Sequence, residues 1–506
     1  MNKYEKQIDI QTDDSPAGYY ALIKKYNLKV VLPETLSFIN NKHIQYQTEG
    51  LRVFTKRYKP EDTLDGHLKF ALKYEGVDLY VLKSLFNKID LNEVSDFIKK
   101  EPTGSYNRRI WFLYEWLHGK QLNIENLKSG NYVHLIDEKL QYGGNSQDSK
   151  RHRIKNNLPG VKEFCPLIKK TKKLESFIGK DLIGKLKTNL GKVHPDILKR
   201  TAAFLLLSDS KASYLIEGEQ PTPGRAQKWA NILGLAGQKK LTLEELLRLQ
   251  KILIEDTRFI KLGLRKEGGF VGSHDRSSLE PIPELISAKW QDLGELMEGL
   301  IKAENKMQVD GYNAVLTAAS IAFGFVFIHP FADGNGRIHR YLINDILTRS
   351  KFTEGGIIFP ASHVILERIN EYKEVLESYS LPRLELIEWK PTENMNINVI
   401  NESIDLYRYF DATKQAEFLF SCIEKTIEKV LPEEIEYLKK YDKMKNYINN
   451  NFEMDDRTID QLINFLKQND GSLSQRAKSK EFKILTEKEG ENLENNYREI
   501  FHAIKN

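Results

Sequence analysis

Cysteine and uninterrupted apolar sequence are both scarce in this chain of 506 residues. Only Cys165 and Cys422 occur. One disulfide is conceivable, but the dense cysteine pattern of small secreted domains is excluded. We therefore expect a reducing, cytoplasmic setting. No run approaches the roughly 18 apolar residues that span a bilayer. The apolar stretch 318–328 is broken by Ser320 and Gly324 and reads as a buried helix. The opening Met1-Asn-Lys-Tyr-Glu-Lys leads into polar sequence without the apolar stretch of a secretion signal. Low-complexity tracts and internal repeats are also missing. What is present is 40% hydrophobic and 10% aromatic residues, enough for sizeable cores rather than disorder. At roughly 100–200 residues per domain, the length suggests about three domains.

The net charge is a modest +5, unevenly placed. Residues 141–173 hold nine Lys/Arg against Asp148 and Glu163. Such a run can meet phosphates or an acidic partner. No DNA- or RNA-binding motif accompanies it, so we read a solvated face or linker.

Residues 1–140 mix short extended runs (28–32, 50–55) with helical patterns (64–86 and Ser105–His118). Residues 141–165, punctuated by Gly143-Gly144 and Pro159-Gly160, read as a long loop. Helical periodicity then fits 195–217, 227–235, 242–256, 283–302, 311–329, 336–350 and 364–378. Pro221-Thr-Pro-Gly224 stops the first of these. Glycines 263, 268, 269 and 272 point to a hairpin between 262 and 283. Beyond about 400 come helices and a small unit at 440–506, where 480–485 is a candidate strand. The expected class is mainly α. An α+β N-terminal region (1–170) precedes a helical core with a small β-hairpin (171–395) and a helical or winged-helix-like C-terminal module (396–506).

The chemistry is concentrated in His329-Pro-Phe-Ala-Asp-Gly-Asn-Gly-Arg-Ile-His-Arg340. An apolar helix runs up to His329, a tight Asp-Gly-Asn-Gly turn follows, and a second helix begins. Gly334 and Gly336 permit turn conformations that side chains disfavour. Backbone N–H groups at the turn and helix start make an anion site. Arg337 and Arg340, three apart, can lean over the same anion, and their planar forks suit phosphate. Asp333 puts a carboxylate at the rim, as magnesium prefers when phosphates and water supply its other ligands. His329 titrates near neutrality and can take a proton from a hydroxyl. Phe331 points inward as an anchor. The set suits magnesium-assisted phosphoryl or nucleotidyl transfer.

This segment resembles the Fic signature His-x-Phe-x-Asp/Glu-Gly-Asn-Gly-Arg-x-x-Arg at every fixed position. The resemblance implies a compact helical core and transfer of AMP from ATP to a Ser, Thr or Tyr hydroxyl of a protein, this chain included. It implies His329 as general base and Asp333 as the holder of Mg2+ between the α- and β-phosphates. Gly334, Asn335, Gly336 and Arg337 would cradle phosphate, with Phe331 anchoring the loop and Arg340 on the γ-phosphate. Doc-like kinases of the family carry Lys where this chain has Gly336, which favours nucleotidyl transfer. Ser213-Tyr-Leu-Ile-Glu217-Gly218 is similar to the family's inhibitory pattern Ser/Thr-x-x-x-Glu-Gly/Asn. Its place before the core is that of the subclass with an N-terminal inhibitory helix in the same chain. Ser213 and Glu217 share one helix face, so Glu217 can pair with Arg340 and leave ATP misaligned. The stretch around 265–273, with Phe270, Val271 and Gly272, looks like the flap that holds a target segment by strand pairing. Asn370-Glu-Tyr372 resembles part of an adenosine-side pattern, with Lys373 departing from it, so only Tyr372 carries over. The resemblance covers about 195–380.

Gly179-Lys-Asp-Leu-Ile-Gly184-Lys185-Leu186 nearly spells a phosphate-binding loop, but Leu186 stands where Ser or Thr must bind magnesium. The histidines lack metal-ligand spacing, and His339 reads as a helix residue near the phosphates. Two other functions remain open from the residues: removal of AMP by the same site, and a nucleotide-sensing regulator that binds DNA through 440–506 and the basic run. A homodimer that masks the site is also compatible with the sequence.

Overall fold

The computed structural model describes residues 14–41, 45–353 and 359–502. Its centre is the helix Ala314–Ile328, in which every residue after Ala314 is buried. A helix apolar all round must be enclosed on all sides. Here the enclosing elements include Leu293–Val309, Asn335–Arg349 and Thr413–Lys425. Asn313 starts the central helix: its Oδ1 accepts from the N–H groups of Val315 (3.0 Å) and Leu316 (3.2 Å). One apolar core runs from Phe164 to Leu431 around these helices.

The N-terminal region is α+β, as expected. Leu36–Asn40 pairs in parallel with Leu51–Thr55 within a four-stranded sheet. The helices Leu64–Tyr74, Leu79–Phe86, Leu91–Lys100 and Ser105–His118 surround a second core. The expected helix 64–86 is two helices, because Gly76 turns the chain at φ +87° and Asp78 caps the second. Residues 28–32 form no strand; Leu28 N–H closes the preceding helix on Ile23 O, and Leu28 and Val30 bury in the core. Residues 141–165 are more ordered than a loop, with Gln147–Ser149 and Ile154–Asn156 paired.

That pairing changes the reading of the basic run. Buried Glu115 accepts from Trp111 Nε1 (2.7 Å), Leu122 N (2.9 Å) and Arg151 Nη2 (2.8 Å), and lies 3.0 Å from His152 Nε2. Burial pushes its carboxyl up, but these donors win and hold it down at about 2. Lys169 pairs with Asp411 at 3.0 Å and Lys173 with Glu417 at 3.5 Å. Arg151 and Lys169 thus tie parts of the fold together, while Lys150, Lys172 and Lys173 stay exposed. Cys165 N–H donates to Arg408 O, Leu167 N–H to Phe410 O and Ala412 N–H to Leu167 O, sewing the N-terminal region onto the central body.

The expected helix 283–302 begins later. Pro281–Ile286 is a strand antiparallel to Phe270–His274, and the helix starts at Leu293. The C-terminal unit has its own core, built from the helices Leu431–Asn451, Asp456–Gln468 and Glu487–His502. Residues 480–485 are turns rather than a strand, so the helical alternative describes this unit.

Candidate active site

The turn after the central helix is held by its own side chains. His329 ends that helix in the left-handed conformation, φ +54°. Asn335 clips the loop: its Oδ1 accepts from Phe331 N (3.0 Å) and its Nδ2 donates to Phe331 O (2.8 Å). Its side chain is therefore committed to the loop, which leaves its backbone N–H as the group it can offer an anion. Phe331 is fully buried, edge-on to Phe325. Gly334, at φ +91°, is the N-cap of Asn335–Arg349, and no side chain caps that helix start. The first N–H groups of the helix are left for an anion.

The expected groups converge here. Asp333 Oδ1 accepts from Gly334 N (2.6 Å) and lies 3.1 Å from Arg337 Nη2. Arg337 and Arg340 are almost wholly enclosed. Glu217 bridges them: Oε2 is 2.9 Å from Arg337 Nε and Oε1 is 2.7 Å from Arg340 Nη2. Ser213 completes the clamp, with Oγ accepting from Arg340 Nε (3.0 Å) and its carbonyl from Nη2 (2.7 Å). Burial pulls the Arg337 guanidinium down, but Glu217, Asp333 and Glu219 together hold it above its ordinary range. Arg337 Nη1 is buried with no hydrogen-bond partner among the described residues. An orphaned, enclosed donor beside open helix N–H groups fits a missing phosphate oxygen.

The helix Pro195–Leu215 stops just before Glu217, and Gly218 turns the chain at φ +76°. That turn brings Glu219 to 3.5 Å from Arg337 Nη2. Sequence reasoning passed over this second carboxylate, although it stands two residues from Glu217. Gly336 is required by the clamp: a Cβ there would lie 2.3 Å from Glu217 Oε1.

Burial first, and the Arg265 charge second, lower the pKa of the His329 imidazole to about 4. Its Nδ1 lies 3.3 Å from Val326 O. A carbonyl only accepts, so Nδ1 carries the proton and Nε2 keeps a free lone pair, as a base needs. His339 instead faces the core: Nδ1 donates to Ala322 O at 2.7 Å, and the ring packs edge-on to Phe323.

Tyr372 is the adenosine-side candidate. It is buried behind Arg340, between His339, Phe323 and Phe418. The inward face of the helix Ile369–Leu384 carries it into the core, with its hydroxyl bonded to Arg340. The hairpin is present. Phe270 stacks edge-on to His274, Val271 is exposed, and a bulge falls between Val271 and Gly272. Gly272 is needed there, since a Cβ would lie 2.2 Å from Ile282 O.

Fold and site together bring a neutral histidine, a carboxylate and two arginines to one helix start in a helical domain. Residues 240–347 match the model of the Fic/DOC family. Protein adenylyltransferase Fic of Nematostella vectensis is 25% identical over 147 residues, which are 29% of this chain and 32% of that protein. Its Drosophila grimshawi counterpart is 31% identical over 128 residues, 25% of this chain and 24% of that one. The matches thus span about a third or less of these relatives. A Fic domain containing signaling protein from Bacteroides thetaiotaomicron aligns with 52% of this chain and 97% of its own, at 18% identity and a TM-score of 0.36. Among the described residues, no helix is long and apolar enough to cross a membrane.

Proposed function

We propose that the chain is a protein adenylyltransferase that moves AMP from ATP to a Ser, Thr or Tyr hydroxyl and restrains itself through Glu217. The observation that carries this reading is the clamp of Ser213 and Glu217 on Arg340, seven residues past the Asp333 carboxylate and on the helix that follows the loop of the neutral His329. In the reaction, His329 Nε2 takes the proton of the target hydroxyl. The oxygen bonds to the α-phosphorus, the bond from that phosphorus to the β-bridging oxygen breaks, and pyrophosphate leaves. Arg337 and the open N–H groups of the helix start bind the phosphates; Arg340 binds the γ-phosphate once Glu217 lets go. Asp333, half-exposed at the rim, would hold Mg2+, which offsets phosphate charge when bound.

The comparisons support this reading through the named adenylyltransferases. Gly336 supports transfer of AMP rather than of phosphate, because the Doc-like kinases of the family it resembles carry Lys at that position. The test is label incorporation from α-32P-ATP with magnesium, into the chain and into lysate proteins. Glu217→Gly should raise it at least tenfold, and adding His329→Ala should abolish it. Persistent transfer without His329 would remove the base from the mechanism, and equal rates with and without Glu217 would remove the restraint.

A further inference from the structure

Arg265 is a buried cation with no ion-pair partner among the described residues. Its side chain donates to three backbone carbonyls instead: Nε to His329 O at 2.7 Å, Nη1 to Glu267 O at 2.8 Å and Nη2 to Ala288 O at 2.8 Å. Its own N–H donates to Pro330 O at 3.0 Å. The three acceptors belong to different stretches. Glu267 lies on the approach to the first hairpin strand, Ala288 just beyond the second, and His329 ends the central helix. Neighbouring contacts close the same seam. Leu264 bridges Phe331, and Ala288 N–H donates to Ile328 O at 3.2 Å.

Holding a hairpin leg against a helix does not by itself call for a charge. A buried guanidinium without a counter-ion is unfavourable, and an apolar side chain would fill the space at less cost. What Arg alone supplies is a rigid, planar fork that reaches three fixed acceptors at once. One of those acceptors matters most. His329 sits at φ +54°, a conformation that residues with a Cβ disfavour and that persists only when neighbours over-determine it. The bond to His329 O is one such restraint, and the same guanidinium grips both legs of the hairpin.

We propose that Arg265 is a positioning residue that locks the hairpin, and any strand laid along it, in register with the His329 imidazole. The inference rests on the reading of His329 as the base that meets a target hydroxyl. It separates two functions by location. The phosphate-binding groups lie on Asn335–Arg349 and are not touched by Arg265, so its loss misaligns the acceptor while nucleotide binding stays intact.

Two measurements test this in the full chain with Arg265→Gln and Arg265→Lys. Hydrogen exchange should show 268–274, 281–288 and 328–331 exchanging at least tenfold faster in Arg265→Gln, with 337–346 unchanged. In the Glu217→Gly background, label incorporation from α-32P-ATP should fall on the order of a hundredfold while the Kd for ATP stays within twofold. Arg265→Lys, which keeps the charge but not the fork, should recover only a minor part. Unchanged exchange in either the hairpin or the 328–331 segment overturns the proposal. So does faster exchange throughout the protein, or transfer at the parent rate. If the Glu217→Gly parent itself transfers nothing, the adenylyltransferase reading fails, and the exchange pattern alone decides whether Arg265 couples the two segments.

Discussion

His329 and His339 lie ten residues apart and are both held neutral by burial, the first at about 4 and the second at about 3. An unfolded histidine takes up its proton near 6.5. Between that value and the folded values the unfolded chain binds more protons, so each histidine costs stability as pH falls, by about 1.4 kcal/mol per pH unit. Burial acts in the opposite direction on Glu75, raised to about 7, and Asp209, raised to about 6. Those carboxyls stay protonated longer in the fold and gain stability as pH falls, so the slope of the intact chain mixes both signs. Comparison with His339→Phe isolates one histidine. The stability advantage of the unsubstituted chain over His339→Phe should shrink by about 2 kcal/mol between pH 7 and pH 5 in urea unfolding. A gap that stays constant would mean His339 is not buried in its neutral form.

At the level of elements, the hairpin depends on one backbone position. Gly272 combines φ +154° with a close approach to Ile282 O. A methyl group there forces the strands apart or shifts their register. Gly272→Ala in the Glu217→Gly background should cut label incorporation at least tenfold and leave the Kd for ATP unchanged. Equal incorporation would show that acceptors do not use this ribbon. The approach of Ser213 and Glu217 to Arg340 was legible because residues four apart in a helical pattern share a face, although the helix itself ends at Leu215. The Glu219 contact was not, since it depends on the chain reversing at Gly218. Likewise Tyr372 fitted a binding pattern by sequence, but which face of its helix turns inward is decided by packing against Phe323 and Phe418.

Across the whole molecule, the two thiols report on how the parts are joined. Cys165 lies on the seam between the N-terminal region and the central body, Cys422 on the buried face of Thr413–Lys425, and they are free. Burial pushes both thiols up to about 12. A thiol-reactive reagent at pH 8 should therefore modify neither in the folded chain and both after denaturation. Rapid modification of Cys165 alone would show that the seam opens without global unfolding. Part of the basic run is engaged with acids that its charge pattern does not name. Its partners, Glu115, Asp411 and Glu417, lie far away in sequence, and nothing in the local composition names them.

The sequence alone determined the helical class, the central apolar helix, the hairpin and the set His329, Asp333, Arg337 and Arg340, because those depend on periodicity, on glycine and on spacing within a few turns. Only the tertiary structure decided that Glu217 grips both arginines, that Asn335 is spent on its own loop, that Tyr372 is core, and that Arg265 ties the hairpin to His329. Each of these is a contact between distant segments, set by which faces the packed core brings together.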